Sequence, residues 1–309
     1  MAEPDLDQRD DAAPRGRTVT ATDIRFDTVA NERAVDGLSS AGSYRASPAG
    51  KWLMRIIMLT YLTFLLILPV GLVFWRTFEK GIAPVIEALT TPEALHALQV
   101  TAIVAGCAVV LNTIFGIIAS FLLVRHEFRG KRVLDKLIDL PLAVSPVVVG
   151  LALILVYGRN STVGGWLGDQ GIDIIYALPG MIMATCFVSL PLMVREVAPI
   201  LEEIGDEQEQ AAATLGASPF QIFRRVTLPA IRWGVAYGII LTLARSLGEF
   251  GAVAVVSGRV VGETQTLTLF VDQNFENFDK PAAYSASFLL AFLAIAALLL
   301  MNIFRPKEH

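Results

Sequence analysis

Apolar residues fall in six long runs along the chain, and each run is long enough to cross the hydrocarbon core of a membrane. At 1.5 Å per helical residue, about 20 residues span a core of roughly 30 Å. Because backbone amides in lipid must be satisfied within their own segment, the runs predict helices. The predicted transmembrane helices cover residues 56–75, 98–124, 137–157, 174–194, 235–256 and 284–304.

The first fifty residues differ from all that follow. They are rich in Asp, Ala, Arg, Ser and Thr, poor in large apolar side chains, and without a sustained period. This composition predicts a disordered tail over residues 1–50, followed by a transmembrane domain over residues 51–309. The first apolar run begins only near Ile56, so the tail is not typical of a secretory signal.

Composition narrows the class of protein. The 309 residues are 54% hydrophobic and only 17% charged, with a mean hydropathy of +0.58. A soluble chain of this length could not bury so much apolar surface, which argues against a soluble enzyme. The net charge of -4 offers no basic face, so nucleic acid is not an expected partner. Cys107 and Cys186 lie inside apolar runs and are interpreted as small apolar residues.

Lysine and arginine are unevenly divided between the connections. With successive connections on alternate sides of the membrane, fourteen of these residues lie on the side that holds the ends of the chain, and five lie on the opposite side. The excess marks the cytoplasmic side, so both termini are predicted to face the cytoplasm. The five residues on the opposite side are Arg76, Lys80, Arg159, Arg259 and Lys280.

Two charged residues lie within the fifth predicted helix. Arg245 and Glu249 are four residues apart and would share one helix face. Each alone would cost about 2.5–3.5 kcal/mol at the bilayer centre, so we expect them to pair or to face water inside the bundle. Two interpretations stay open. The pair fixes helix packing, or Arg245 attracts an anion whose affinity Glu249 restrains.

Residues 195–232 form the longest predicted cytoplasmic connection. Early acidic residues, three alanines and then Gly216 predict a short helix that ends in a glycine cap. Ser218 and Pro219 predict the start of a second short helix, which would end near Leu228 and Pro229. The connection is thus expected to form a compact helix-turn-helix projection.

The same connection carries a recognisable motif. Gln210-Ala211-Ala212 is followed at fixed spacing by Gly216, Val226 and Leu228-Pro229. This pattern resembles the EAA loop of permease subunits of binding-protein-dependent ABC importers. It departs from the pattern twice, because Gln210 stands at the usual glutamate position with Glu209 one residue earlier, and Val226 replaces the usual isoleucine.

The resemblance extends over residues 52–304. Further segments narrow it to permeases for particular anions. Residues 137–150 and 244–258 are similar to sulfate and molybdate permeases, and residues 259–270 are similar to the W-type subunit of sulfate/thiosulfate importers. The resemblance implies an all-α type I ABC importer permease fold in the inner (plasma) membrane of a bacterium. It also implies import of sulfate and thiosulfate.

The resemblance further implies a set of partners and contact residues. The partners would be a T-type permease subunit, two ATP-binding subunits that hold ATP and Mg, and an extracytoplasmic sulfate-binding protein. The ATPase would be contacted by a coupling helix and its flanks, namely Glu209, Gln210, Ala211, Ala212, Ala213, Leu215, Gly216, Ala217, Ser218, Leu228 and Pro229. The candidate translocation pathway comprises Arg245, Ser246, Gly248 and Glu249.

Motifs for chemistry within the chain are missing from its sequence. No glycine-rich phosphate loop is present, so the chain is not expected to hydrolyse ATP or to bind a cofactor itself. The three histidines, His96, His126 and His309, have no metal-binding spacing, and no metal site is expected. The alternatives are a molybdate or tungstate importer permease, a stand-alone secondary anion transporter and, remotely, a membrane enzyme.

Overall fold

The computed structural model describes residues 48–303, and every regular element among them is a helix. The all-α class is therefore confirmed for this part of the chain. Five helices are long and apolar enough to cross a membrane, or up to six if one sharply bent pair counts as a single span. The predicted tail, residues 1–50, lies almost wholly outside the described residues.

The described chain divides into two units at Ile67. The first contains α1 (Pro48–Leu62) and a π-helical turn (Thr63–Ile67), whose large apolar side chains are exposed. The second begins at Leu68. Its helices are α2 (Leu68–Phe78), α3 (Ala83–Leu89), α4 (Pro92–Arg125), α5 (Lys131–Ala143), α6 (Pro146–Tyr157), α7 (Thr162–Asp169), α8 (Leu178–Ile204), α9 (Glu207–Thr214), α10 (Pro219–Ile222), α11 (Leu228–Leu247), α12 (Gly251–Val256), α13 (Leu267–Glu276) and α14 (Lys280–Ile303).

Helices α4, α8 and α11 pack together around one buried methionine. Met193 of α8 is fully buried. A Cβ added to Gly116 of α4 would lie 2.3 Å from Met193 Cγ, and one added to Gly238 of α11 would lie 2.4 Å from Met193 Sδ. Glycine at both positions therefore lets the two helix backbones approach α8 closely, as small residues do where membrane helices pack.

We expect Gly116→Leu to destabilise the helix core. The added side chain would overlap Met193, and overpacking of this kind typically costs about 1–3 kcal/mol. Gly106→Leu is the matched control, because Gly106 lies on the same helix and no atom lies within 4 Å of the position of its added Cβ. Thermal unfolding in detergent should show a lower midpoint for Gly116→Leu alone. Equal midpoints for the two variants would contradict this packing.

The third predicted helix, residues 137–157, is wrong as a single helix. The structure has α5 and α6 there, bent by 113° at Val144 and Ser145. Pro146 cannot donate a backbone hydrogen bond, and it disfavours helical geometry in the residue before it. Ser145 accordingly has ψ 134°, and Val144 is extended as well. The helix is therefore completely broken at this point.

The fifth predicted helix, residues 235–256, is also interrupted. Helix α11 ends at Leu247, and the short α12 begins at Gly251. In the other direction the helix starts earlier than predicted, because Pro219–Leu247 forms one helical segment through a π-helical turn at Phe223–Thr227. Pro229 lies just after the π-helical turn and inside this segment, so it ends no helix.

The remaining predicted helices differ from the structure mainly in their ends. The fourth, residues 174–194, begins later at Leu178 and continues to Ile204, so part of the predicted connection 195–232 is helical. The first, second and sixth, residues 56–75, 98–124 and 284–304, correspond to the segments Gly50–Phe78, Pro92–Arg125 and Lys280–Ile303.

Candidate coupling site and buried ion pair

The predicted short helix, glycine turn and serine cap are present at the start of the coupling segment, by which we mean residues 207–222. Helix α9 ends at Thr214, and Gly216 has φ +83°, a left-handed conformation that glycine adopts without strain. The N–H of Ala217 donates to the Ala212 carbonyl at 3.1 Å, which closes the turn. The Ser218 hydroxyl then accepts from the N–H of Gln221, and the Gln221 side chain accepts from the N–H of Ser218 in a full capping box.

Apolar side chains project from this segment. Leu215 is 88% exposed and Phe220 is 69% exposed, although both flank the tight turn. Ala211 and Ala213 are exposed beside them. An exposed apolar patch on a short polar segment is typical of a surface that another protein covers.

Glu209 anchors the coupling segment to the helix bundle. Its carboxylate accepts from Arg125 Nε at 3.0 Å and from the Thr227 hydroxyl at 2.7 Å. Arg125 is the last residue of α4, and Thr227 precedes α11 directly. Arg125 and Thr227 lie 84 and 18 residues from Glu209 along the chain, so no local pattern in the sequence indicates these contacts.

Gln210 occupies a different position from its neighbour. It is exposed, and its side-chain amide donates to Asp206 Oδ2 at 2.8 Å. The carboxylate that holds α9 in place is therefore that of Glu209, one residue before the position that usually holds glutamate in the motif.

Arg245 and Glu249 form the predicted ion pair, with Arg245 Nη1 2.7 Å from Glu249 Oε2. The expectation that both lie on one helix face is wrong, because α11 ends at Leu247 and Glu249 lies in the break. Its other carboxylate oxygen, Oε1, accepts from the N–H of Ala252 at 2.9 Å and so caps α12. The Glu249 side chain is 2% exposed and that of Arg245 is 37% exposed, so the cation is the accessible member of the pair.

The other two candidate pathway residues lie beside this pair. Ser246 is buried, and its hydroxyl has no hydrogen-bond partner among the described residues. Gly248 is exposed at the end of α11. The structure thus brings all four candidates to the break between α11 and α12.

This break lies against the break between α5 and α6. A Cβ on Gly251 would lie 3.1 Å from Pro146 Cβ, and one on Gly150 would lie 2.8 Å from Val255 Cβ. Two interrupted helices therefore pack together at the residues where each interruption occurs. Broken helices of this kind expose backbone polar groups, which are tolerated at membrane depth only inside protein or beside water.

A cleft of about 690 Å³ lies near the N-terminus of α8. Arg159 and Asp173 line it as an exposed bidentate pair, with N–O distances of 2.9 and 3.0 Å. The Arg159 guanidinium lowers the pKa of Asp173 by hydrogen bonding to its carboxylate. Within residues 48–303, no group of three or more His, Cys, Asp or Glu side chains could hold a metal ion.

Residues 112–308 match the family of binding-protein-dependent transport system inner membrane components, and the chain belongs to this family. The family predicted from the loop motif is therefore confirmed, and the chain is a membrane subunit of a transport system. It is 48% identical to the sulfate transport system permease protein CysW of Synechocystis sp., over 83% of this chain and 93% of that protein. It is 36% identical to the sulfate transport system permease protein CysT of Escherichia coli, over 79% and 88% of the two chains.

A solved structure shares the fold. A chain in the crystal structure of a bacterial ABC transporter involved in import of the acidic polysaccharide alginate superposes with a TM-score of 0.68. The match covers 82% of this chain and 94% of that chain at 15% identity. At this identity the match shows a shared helical fold.

Proposed function

We propose that this chain is the W-type permease subunit of an ATP-driven sulfate importer and forms half of its translocation pathway. Sulfate is inferred as the substrate from the 48% identity to a CysW protein over nearly all of that protein's length. Arg245 of the ion pair would attract the anion, and the exposed coupling segment would bind the ATPase.

The proposed assembly contains several further chains. A homologous T-type subunit would complete the pathway, two ATPase subunits would bind ATP and Mg, and an extracytoplasmic protein would deliver sulfate. The excess of lysine and arginine on one side supports cytoplasmic termini and a place in the inner membrane of a bacterium. Likeness to both CysW and CysT supports pairing of two related permeases.

The coupling segment would dock in the ATPase through its apolar surface. Leu215 and Phe220 supply the exposed apolar area, and the alanines of α9 let a partner approach the helix backbone. ATP binding would close the ATPase dimer and displace α9, which biases the bundle toward its outward-open state. Hydrolysis would then remove that bias.

The anion would pass beside the break between α11 and α12. A sulfate dianion cannot cross hydrocarbon, so its path must be lined by water and polar groups. Arg245 is the accessible cation there, and the buried Ser246 hydroxyl beside it has no hydrogen-bond partner among the described residues. The buried Glu249 carboxylate partly neutralises Arg245, which would keep the affinity low enough for release.

Uptake of labelled sulfate by a strain lacking its own sulfate importer tests this function. We expect the chain, expressed with its partner subunits, to restore uptake and excess unlabelled thiosulfate to compete. Excess molybdate should compete weakly. Uptake of molybdate but not sulfate would identify a molybdate or tungstate importer permease and would contradict the proposal.

A further inference from the structure

One ion pair, Arg125 with Glu209, joins four segments of the chain at the base of the coupling segment. Besides its bonds to Glu209, Arg125 donates from Nη1 to the Leu201 carbonyl at 2.9 Å and from Nη2 to the Gly205 carbonyl at 2.6 Å. Both carbonyls lie at the C-terminal end of α8, where backbone acceptors have no partner within the helix. The Thr227 hydroxyl reaches the same carboxylate from the start of α11.

The arrangement is half-buried and multiply bonded. The Arg125 side chain is 11% exposed and the Glu209 side chain is 16% exposed. Arginine suits such a place because its planar fork directs several donors in fixed directions, whereas lysine offers one point charge. An ion pair this buried is weak evidence for stability alone, because desolvation offsets most of the attraction.

The residues that meet here belong to the three helices of the core. Arg125 ends α4, Leu201 and Gly205 end α8, and Thr227 precedes α11. Those helices pack around Met193, so they share one close-packed interface. The Glu209 carboxylate is therefore bonded directly to the end of α4 and to the residue before α11, and through Arg125 to the end of α8.

We propose that Arg125 and Glu209 are positioning residues that transmit displacement of α9 to α4, α8 and α11 together. This inference rests on the proposed function, since it requires an ATPase to displace α9. Without the pair, the backbone connects α9 to the bundle through Gly205 on one side and through the left-handed Gly216 turn on the other. Both connections contain a glycine at positive φ, with φ +68° and +83°.

Three variants separate this role from stabilisation. Glu209→Gln and Arg125→Gln each leave one buried charged group without its partner, whereas the double variant removes both charges. Glu203→Gln is the control, because Glu203 is an exposed carboxylate near the end of α8 and lies outside the coupling segment. The complete complex, with all its subunits, is reconstituted in vesicles, and sulfate imported per ATP hydrolysed is measured beside the thermal midpoint.

We expect both single variants to hydrolyse ATP while sulfate imported per ATP falls about tenfold, within the range of site-to-site coupling factors. The double variant should recover the thermal midpoint but not the import ratio. Recovery of the ratio in the double variant, or wild-type ratios in both single variants, would overturn the proposal. If the single variants fail to assemble, the double variant alone decides.

Failure of the proposed function has a different signature. If the wild-type complex itself shows no ATP-dependent sulfate import, the proposed function fails and this inference fails with it. If the wild-type complex imports sulfate and the double variant does so at the same ratio, only the positioning role fails.

Discussion

The Gly216→Val variant is expected to lose sulfate uptake by at least about tenfold while the membrane domain remains folded. Gly216 has φ +83°, and a left-handed conformation costs an ordinary L-residue roughly 1–2 kcal/mol and a β-branched one more. No atom lies within 4 Å of the position where its Cβ would stand, so the effect is conformational rather than a clash. The turn would open and redirect Leu215 and Phe220. Uptake and co-purification of the ATPase subunit measure the change.

Gly216→Asn is the matched control for this prediction. Asparagine also adds a side chain, but it tolerates the left-handed conformation better than other non-glycine residues. We expect it to retain most uptake and to bring the ATPase with it on purification. Full uptake and ATPase capture by the valine variant would count against the docking role of this turn.

The second large effect is expected at the helix break. Arg245→Leu should abolish most sulfate uptake, because it removes the accessible cation beside the proposed path. It also leaves the buried Glu249 carboxylate unpaired, which lowers stability. The informative variant is therefore Arg245→Leu combined with Glu249→Gln, in which the glutamine can still accept from the N–H of Ala252.

Initial uptake rates at several sulfate concentrations measure the result. We expect the double variant to assemble with a thermal midpoint close to that of the wild type and yet to transport at least about tenfold more slowly. Arg232→Leu is the control, since Arg232 is an exposed arginine on the same helix. Wild-type transport by the double variant would show that the ion pair serves packing only.

The turn and the cap of the coupling segment can be predicted from the sequence, because local geometry determines both. A glycine after a run of alanines and a serine before Pro219 specify a helix end and a helix start within a few residues. These rules act within one turn of chain, so no tertiary information is needed. The structure has the expected turn at Gly216 and the expected cap at Ser218.

The helix breaks were harder to predict, because their size depends on packing between distant segments. Pro146 predicts an irregularity in the helix, but a proline can either kink a helix or end it. Here Gly251 of another interrupted helix lies against Pro146, and the two breaks occur at one place. Nothing near Pro146 in the sequence specifies that neighbour.

The anchor of α9 was missed for a related reason. The motif directs attention to the position of Gln210, whereas Glu209 makes the buried contacts. Its partner Arg125 lies 84 residues away along the chain. A long-range ion pair has no local pattern from which it can be recognised.

We propose that a separate ATPase drives transport through this chain, and reconstitution tests this claim most directly. Vesicles that contain this chain with its T-type partner and ATPase subunits, supplied with the sulfate-binding protein, should accumulate labelled sulfate when ATP is given to the ATPase side. Vesicles that contain this chain alone should accumulate none, with or without an ion gradient. Gradient-driven accumulation by the single chain would contradict the account, because it would show a transporter that needs no motor.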